Sequence, residues 1–403
     1  MTLVKRLLFS AVTMVICCFT VMSQNTRVKA PDFAYPLTVS TDARRNLDKA
    51  IGDDDAQGIL RSLIDYTLAQ SSTDTANLPA CLTLIDSVKG VSDNPVLGSM
   101  LSMLEAVIYN NIYSSSRWKY DNRTSLSASP LPVDYTEWSG EQFRHRITGL
   151  IDNALADSVA LRAVPLAKYS GVINQNRMTT VYYPTLYNFV VSQAVDIMQG
   201  FVVRNGLPLM RDSIGERILA LYDSVIYDSP RGSAPEVSAR LDRLEFQQNH
   251  SDYAMIMSSD GWRGAQILDL YRSYLSTKGR PETEYAGDIL LAIPIYSSSR
   301  REIYDLCKSF IAACPGYWRK DCIMRNLRTL EQKSVVATAP RVVAPGSNID
   351  IEVTLNNVDH MSVDIYDVSS APVDTDDFTF TTGMAGARKV ASLPVEVSRL
   401  YTS

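Results

Sequence analysis

The chain has 403 residues, 46% hydrophobic and 21% charged, an ordinary globular composition. Roughly 100–200 residues per domain leaves room for two or three folded units. Lys and Arg number 39 against 44 Asp and Glu, a net charge of -5 without any basic run, which excludes the Lys/Arg-clustered face of a nucleic-acid binder.

The first element is an address. Lys5-Arg6, an apolar run from Leu7 to Met22 and the small residue Ser23 before Gln24 are the three parts of a secretory signal. A membrane-spanning helix needs about 20 apolar residues, and this run is shorter and carries Ser10, Thr13 and Thr20. A lipoprotein reading through Cys17 or Cys18 is disfavoured by Val15 and Ile16, where small residues are wanted. Removal of 1–23 takes Lys5 and Arg6 and no acid, moving the net charge from -5 to -7. Four cysteines then remain: Cys81, Cys307, Cys314 and Cys322. An exported chain can oxidise them, and Cys314 and Cys322 are the pair closest in sequence. A lone Cys on an apolar helical face is more often a small core residue. The expectation is therefore reduced, buried thiols at Cys307, Cys314 and Cys322, with Cys81 unpaired.

From 24 to 333 the periodicity is that of amphipathic helices. Asp53-Asp54-Asp55 suits a helix N-terminus and precedes the stripe Ile59-Leu60, Leu63-Ile64 and Leu68. Pro79 opens a helix that Gly90 stops, and Pro95 opens another carrying Leu97, Leu101, Leu104, Ile108 and Ile112. Further stripes run through Phe143, Ile147 and Leu150-Ile151, then from Thr185 through Leu186, Phe189 and Ile197-Met198. Ile214 to Val225 and the more polar stretch Pro235 to Asn249 follow. A pair, Ala265 to Leu275 and Glu282 to Ile293, is joined by a turn at Lys278-Gly279-Arg280-Pro281. Arg301 to Ala312, the break Cys314-Pro315-Gly316 and Trp318 to Glu331 form a helix–turn–helix of about 34 residues, the footprint of one tetratricopeptide-type hairpin. The fold class predicted is mainly α, a helical-hairpin (TPR-like) α-solenoid bundle, followed by a partial β-sandwich.

The β-segment occupies 334–403. Val335-Val336 and Val342-Val343 are short β-rich runs, and Ile349, Ile351, Val353 and Leu355 alternate with polar neighbours. After Asn356-Asn357, Met361, Val363, Ile365 and Tyr366 alternate again, so the two runs predict a β-hairpin. About 70 residues are short of the roughly 100 of a β-sandwich, so the chain is expected to stop inside that domain.

Three blocks carry a family resemblance: Tyr183-Pro184-Thr185-Leu186-Tyr187-Asn188-Phe189, the Cys314-Pro315-Gly316 hairpin reaching Cys322, and the strand pair Ile349 to Leu355 and Met361 to Tyr366. The stretch from Trp118 to Trp138 fits with them. Together they resemble the N-terminal part of the exported alpha-2-macroglobulin-like proteins of the Bacteroidetes. The resemblance implies a helical N-terminal region at 24–333, an incomplete macroglobulin-like β-sandwich domain at 334–403, and a role in endopeptidase inhibition. Target proteases or other envelope proteins are the partners it implies, in the periplasm or at the cell envelope. The sequence departs from the covalent members, because none of its cysteines lies in Cys-x-Glu-Gln, the internal thioester. The alternative is a helical-repeat binding or scaffold protein of the bacterial envelope.

No enzymatic motif is present. His-Glu-x-x-His, Gly-x-Ser-x-Gly and Gly-x-x-x-x-Gly-Lys are all missing. The three histidines, His145, His250 and His360, are widely spaced, and His250-Ser251-Asp252 reads as a polar loop after a helix. Asp374-Thr375-Asp376-Asp377 lacks the Gly and Glu of an EF-hand loop and reads as a solvated turn. No catalytic, cofactor-binding or metal residue is assigned, and no cofactor is expected. Tyrosine outnumbers phenylalanine 21 to 10. Tyr182-Tyr183, Tyr187, Trp118, Tyr120 and Trp138 either line a groove for a partner peptide or pack between helices.

Overall fold

The computed structural model describes residues 35–124, 132, 134–202, 213–250, 260–294, 300–338, 340, 344, 346, 348–358, 360–367 and 387–395. The signal at 1–23, Ser251-Asp252, Val342-Val343 and the aspartates between 374 and 377 lie outside them. The described residues are mainly helical, with two small antiparallel sheets. They divide into two compact units, Met1–Ile256 and Met257–Ser403.

The first unit contains α1 (Pro36–Gly52), α2 (Ala56–Thr73), α3 (Leu78–Val91), α4 (Pro95–Ser115), α5 (Arg117–Asp121), α6 (Gly140–Ala156) and α7 (Ser158–Ala163). It continues with α8 (Arg177–Tyr182), α9 (Leu186–Gln199), α10 (Ser213–Asp228) and α11 (Ala234–His250). Short polar side chains start several of these helices by accepting the free first-turn N–H groups. Asp55 accepts from Gln57 N at 3.2 Å, ahead of α2. Asn94 accepts from Val96 N and Leu97 N, with Pro95 in the first turn of α4. Ser139 with Gln142, and Thr185 with Asn188, form reciprocal capping boxes on α6 and α9.

Helix α4 departs from its predicted single stripe. Leu97, Leu101, Leu104, Ile108 and Ile112 are buried as expected, but so are Met100, Met103, Val107, Tyr109 and Tyr113. It is enclosed because α2, α3, α5, α6, α7 and α9 all pack on it. A helix buried all round has no face left for charge, yet Glu105 lies on it at 0% exposure. Its Oε2 accepts from Lys89 Nζ of α3 at 2.5 Å, and Lys89 also pairs with Asp86 at 3.2 Å. Oε1 has no hydrogen-bond partner. Burial outweighs the Lys89 pairing and pushes the Glu105 carboxyl up to about 7, with Asp86 adding repulsion.

The second unit holds α12 (Asp260–Arg272), α13 (Ala286–Ala292), α14 (Arg300–Ala313) and α15 (Lys320–Glu331), then β1 (Ser334–Thr338), β2 (Glu352–Asn356), β3 (Met361–Asp367) and β4 (Arg388–Val395). The predicted helix from Glu282 starts only at Ala286. Residues 274–282 form a tight return instead, with Glu282 N donating to Tyr274 O at 2.9 Å and Gly279 at φ 69°. Ile323, Leu327 and Leu330 bury one side of α15 against α14 and α13. Asp288 of α13 accepts from Tyr317 Oη at 2.6 Å and Arg319 Nη1 at 2.9 Å, which fixes the break between α14 and α15. A Cβ on Gly287 would lie 2.7 Å from the Phe310 and Tyr317 rings, so only glycine permits this approach.

All four described cysteines are unpaired. Cys81 and Cys307 are buried, whereas Cys314 and Cys322 are only half-buried. Cys314 lies in the break after α14, and Cys322 is one residue off the stripe that begins at Ile323. The predicted hairpin between the two alternating runs does not form. β2 pairs with β1 (Val335 with Leu355), and β3 pairs with β4 (Met361 with Val395), both antiparallel. Asn356 Nδ2 donates to Gln332 O at 2.5 Å, and Asn357, at φ 51°, donates to Leu330 O. These bonds tie the turn to the end of α15, leaving β2 beside β1. Ile349 and Ile351 are exposed, contrary to the buried face their alternation predicts.

The Glu105 pair makes a prediction. The folded carboxyl keeps its proton to higher pH than an unfolded one, so its contribution to stability is full below about pH 4.5 and declines as pH rises to about 7. In urea melts, E105Q is expected to lose this decline, which is on the order of 3 kcal/mol at most. Identical pH profiles for the two proteins would show that Glu105 stays ionised in the fold.

Candidate functional site

A cleft opens in the first unit where α8, α9, α10 and α11 meet. Tyr182 is the last residue of α8 and Tyr183 follows it. Val191, Ser192, Val195 and Asp196 come from α9, Tyr222 and Val225 from α10, and Ser238, Ala239 and Asp242 from α11. The packing of α9 on α10, of α11 on α10 and of α11 on α8 fixes the walls. The cavity volume is about 80 Å³.

Its electrostatics are one-sided, since no lysine or arginine among the described residues lines it. Asp196 and Asp242 are exposed at the mouth of the cleft, where its walls desolvate part of each carboxyl. Burial raises the Asp196 carboxyl, and no hydrogen bond or ion pair among the described residues offsets it. Asp242 is pushed up to about 6 by burial, with repulsion from Glu245 and Asp196, against one 3.3 Å bond from Ser238 Oγ. Both carboxylates act on the rings. Tyr183 is pushed up to about 12 and Tyr222 is raised further, by burial first and then by Asp242 and Asp196. Gln199 Nε2 donates to Tyr222 Oη at 3.2 Å. A site of this kind attracts a cation and repels an anion: ring faces and carboxylates both carry negative potential.

The aromatic residues singled out in the sequence separate into three environments. Tyr182 and Tyr183 line the cleft. Tyr187 is buried, with the Arg162 guanidinium 3.8 Å from its ring centroid and its Oη 2.7 Å from Ser224 Oγ. Tyr120 and Trp138 are buried in a cluster with Tyr109 and Phe143, where Trp138 stacks on Tyr109 at 5.3 Å. Trp118 is 75% exposed, away from that cluster. Sequence reasoning missed Asp196, Asp242 and Tyr222. One signal was available: Asp196 stands between Val195 and Ile197-Met198, all three of them buried, on a helix that is otherwise mostly buried.

The remaining polar candidates are dispersed. His145 is exposed on α6, His360 is exposed in the other unit, and His250 ends α11. The acidic run at 53–55 resolves into the cap of α2. Among the described residues no three His, Cys, Asp or Glu groups are placed to hold a metal ion. No described helix is long and apolar enough to cross a membrane. Comparison with protein families, curated proteins and solved structures returns no match for this chain.

The cleft carboxylates make a prediction. Asp242 faces Asp196, Glu245, Tyr183 and Tyr222 without a cation, so its ionisation opposes folding as pH rises from about 3.8 to about 6. D242N is expected to melt at a higher temperature than the native chain at pH 7.5 and at the same temperature at pH 3.5. A lower melting temperature at pH 7.5 would mean that the carboxylate is stabilised in the cleft.

Proposed function

We propose that the protein is an exported, non-enzymatic binding component of the bacterial envelope whose helical first unit docks a partner polypeptide. One observation carries this reading: the cleft between α8, α9, α10 and α11 combines tyrosine rings with two carboxylates that have no cationic partner among the described residues. Two neighbouring carboxylates repel each other, and a complementary cationic partner relieves that repulsion. The helices of the first unit then supply the frame of that docking cleft. Selection from a displayed random-peptide library against the purified chain tests this reading. Enriched peptides are expected to bind at micromolar strength and to protect α8–α11 from hydrogen exchange. A library in which no sequence rises above background would remove the binding role.

A second reading follows the resemblance to alpha-2-macroglobulin-like proteins, with this chain as the N-terminal part of an endopeptidase inhibitor. The β-strands favour it. Val335, Val336, Ile365, Val390 and Leu393 are exposed on two-stranded sheets. Such sheets are marginal alone and bury their apolar side chains when further β-structure covers them. A partial β-sandwich joined to more macroglobulin-like domains supplies that cover. The gene sequence beyond the codon for Ser403 is the test: further β-sandwich domains are expected, and a stop codon followed by unrelated sequence sinks the reading.

A further inference from the structure

We infer that the α8–α11 cleft is a receptor for one arginine or lysine side chain presented by a partner polypeptide, which rests on the binding role proposed above and names its chemistry. Four features converge on this occupant. The first is charge: Asp196 and Asp242 both line the cleft, and neither has a cationic partner among the described residues. The second is the set of rings, Tyr182, Tyr183 and Tyr222, whose faces attract an ammonium or guanidinium group.

The third is shape. Val191, Val195, Val225 and Ala239 give the walls an apolar character that suits the methylene stem of a long basic side chain. A water site needs at least about 10–15 Å³ of such volume, so a cavity of about 80 Å³ holds the end of one side chain. The fourth feature argues against an inorganic cation. A hard divalent ion takes six or more oxygen ligands, whereas the cleft offers two carboxylates, and no three acidic, His or Cys groups cluster among the described residues. Both carboxyls are exposed at the cleft mouth, and partial desolvation with no counter-charge among the described residues raises them above their ordinary range. An entering guanidinium reverses that shift, so binding takes a proton off Asp242 at mildly acidic pH.

The test uses the full chain labelled with 3-fluorotyrosine, with the Tyr183 and Tyr222 resonances assigned through Y183F and Y222F. Titration with Ac-Ala-Arg-Ala-amide is expected to shift both resonances with a dissociation constant on the order of 1 mM, and more tightly at pH 7.5 than at pH 5. The neutral peptide Ac-Ala-Gln-Ala-amide is expected to leave them unmoved. D196N and D242N should each weaken the arginine peptide, and the double variant should weaken it at least tenfold. All three variants remove repulsion and are expected to keep the native circular-dichroism spectrum. Equal shifts from the glutamine peptide, or undiminished binding in the double variant, overturn the inference. Saturable shifts with calcium chloride alone overturn it in favour of a metal site. Library binders lacking Arg and Lys would sink the basic-side-chain assignment and leave the binding role standing, whereas an empty library removes the role itself.

Discussion

Helix α4 has no solvent face, and the first unit is arranged around that constraint. A 21-residue helix buried on every side must be covered on every side, and α2, α3, α5, α6, α7 and α9 supply the cover. Each large apolar side chain it buries contributes roughly 1.5–3 kcal/mol. The cost is concentrated at Glu105, a carboxylate with one half-buried lysine partner and one unsatisfied oxygen. Removing Lys89 alone would push the Glu105 carboxyl higher still and leave it protonated in the core without its one hydrogen-bond partner.

The cleft is a consequence of the same packing. Helix α9 is needed against α4, α6 and α7, and it is also the partner of α10, which in turn holds α11. Its buried residues are therefore spread round most of its circumference. Asp196 lies between those surfaces, at the place where α8, α10 and α11 leave a gap. Asp242 reaches the same gap from a helix whose Val237, Ala239 and Phe246 are buried. Two residues 46 positions apart in sequence thus share one electrostatic problem, which no local interaction created.

The second unit is held by short-range ties of another kind. Asp288 binds both Tyr317 and Arg319, and Gly287 lets the Phe310 and Tyr317 rings close over α13. The paired asparagines Asn356 and Asn357 do the same for the strands, by bonding the carbonyls that end α15. With the turn so anchored, β2 lies against β1 while β3 pairs with β4. Alternation in the sequence announced strands at 349–355 and 361–366, and strands exist at 352–356 and 361–367. Strand pairing depends on where the turn is anchored, and alternation carries no information about that.

Much of the helical architecture was legible because its signals are local. Prolines at 79 and 95, the acidic run ending at Asp55, Thr185 and the Pro315-Gly316 break act within one turn of chain and mark where helices begin and stop. The switch from helix to strand near residue 334 is legible for the same reason. Burial round the whole of α4, the half-exposure of Cys314 and Cys322, and the separation of Tyr183 from Tyr120 and Trp138 were decided by tertiary packing. So was the cleft: a sequence shows a tyrosine or an aspartate and never which helix will stand opposite it. The sequence alone determined composition, charge and the helical elements; only the folded chain determined that its unmatched carboxylates and its tyrosines meet.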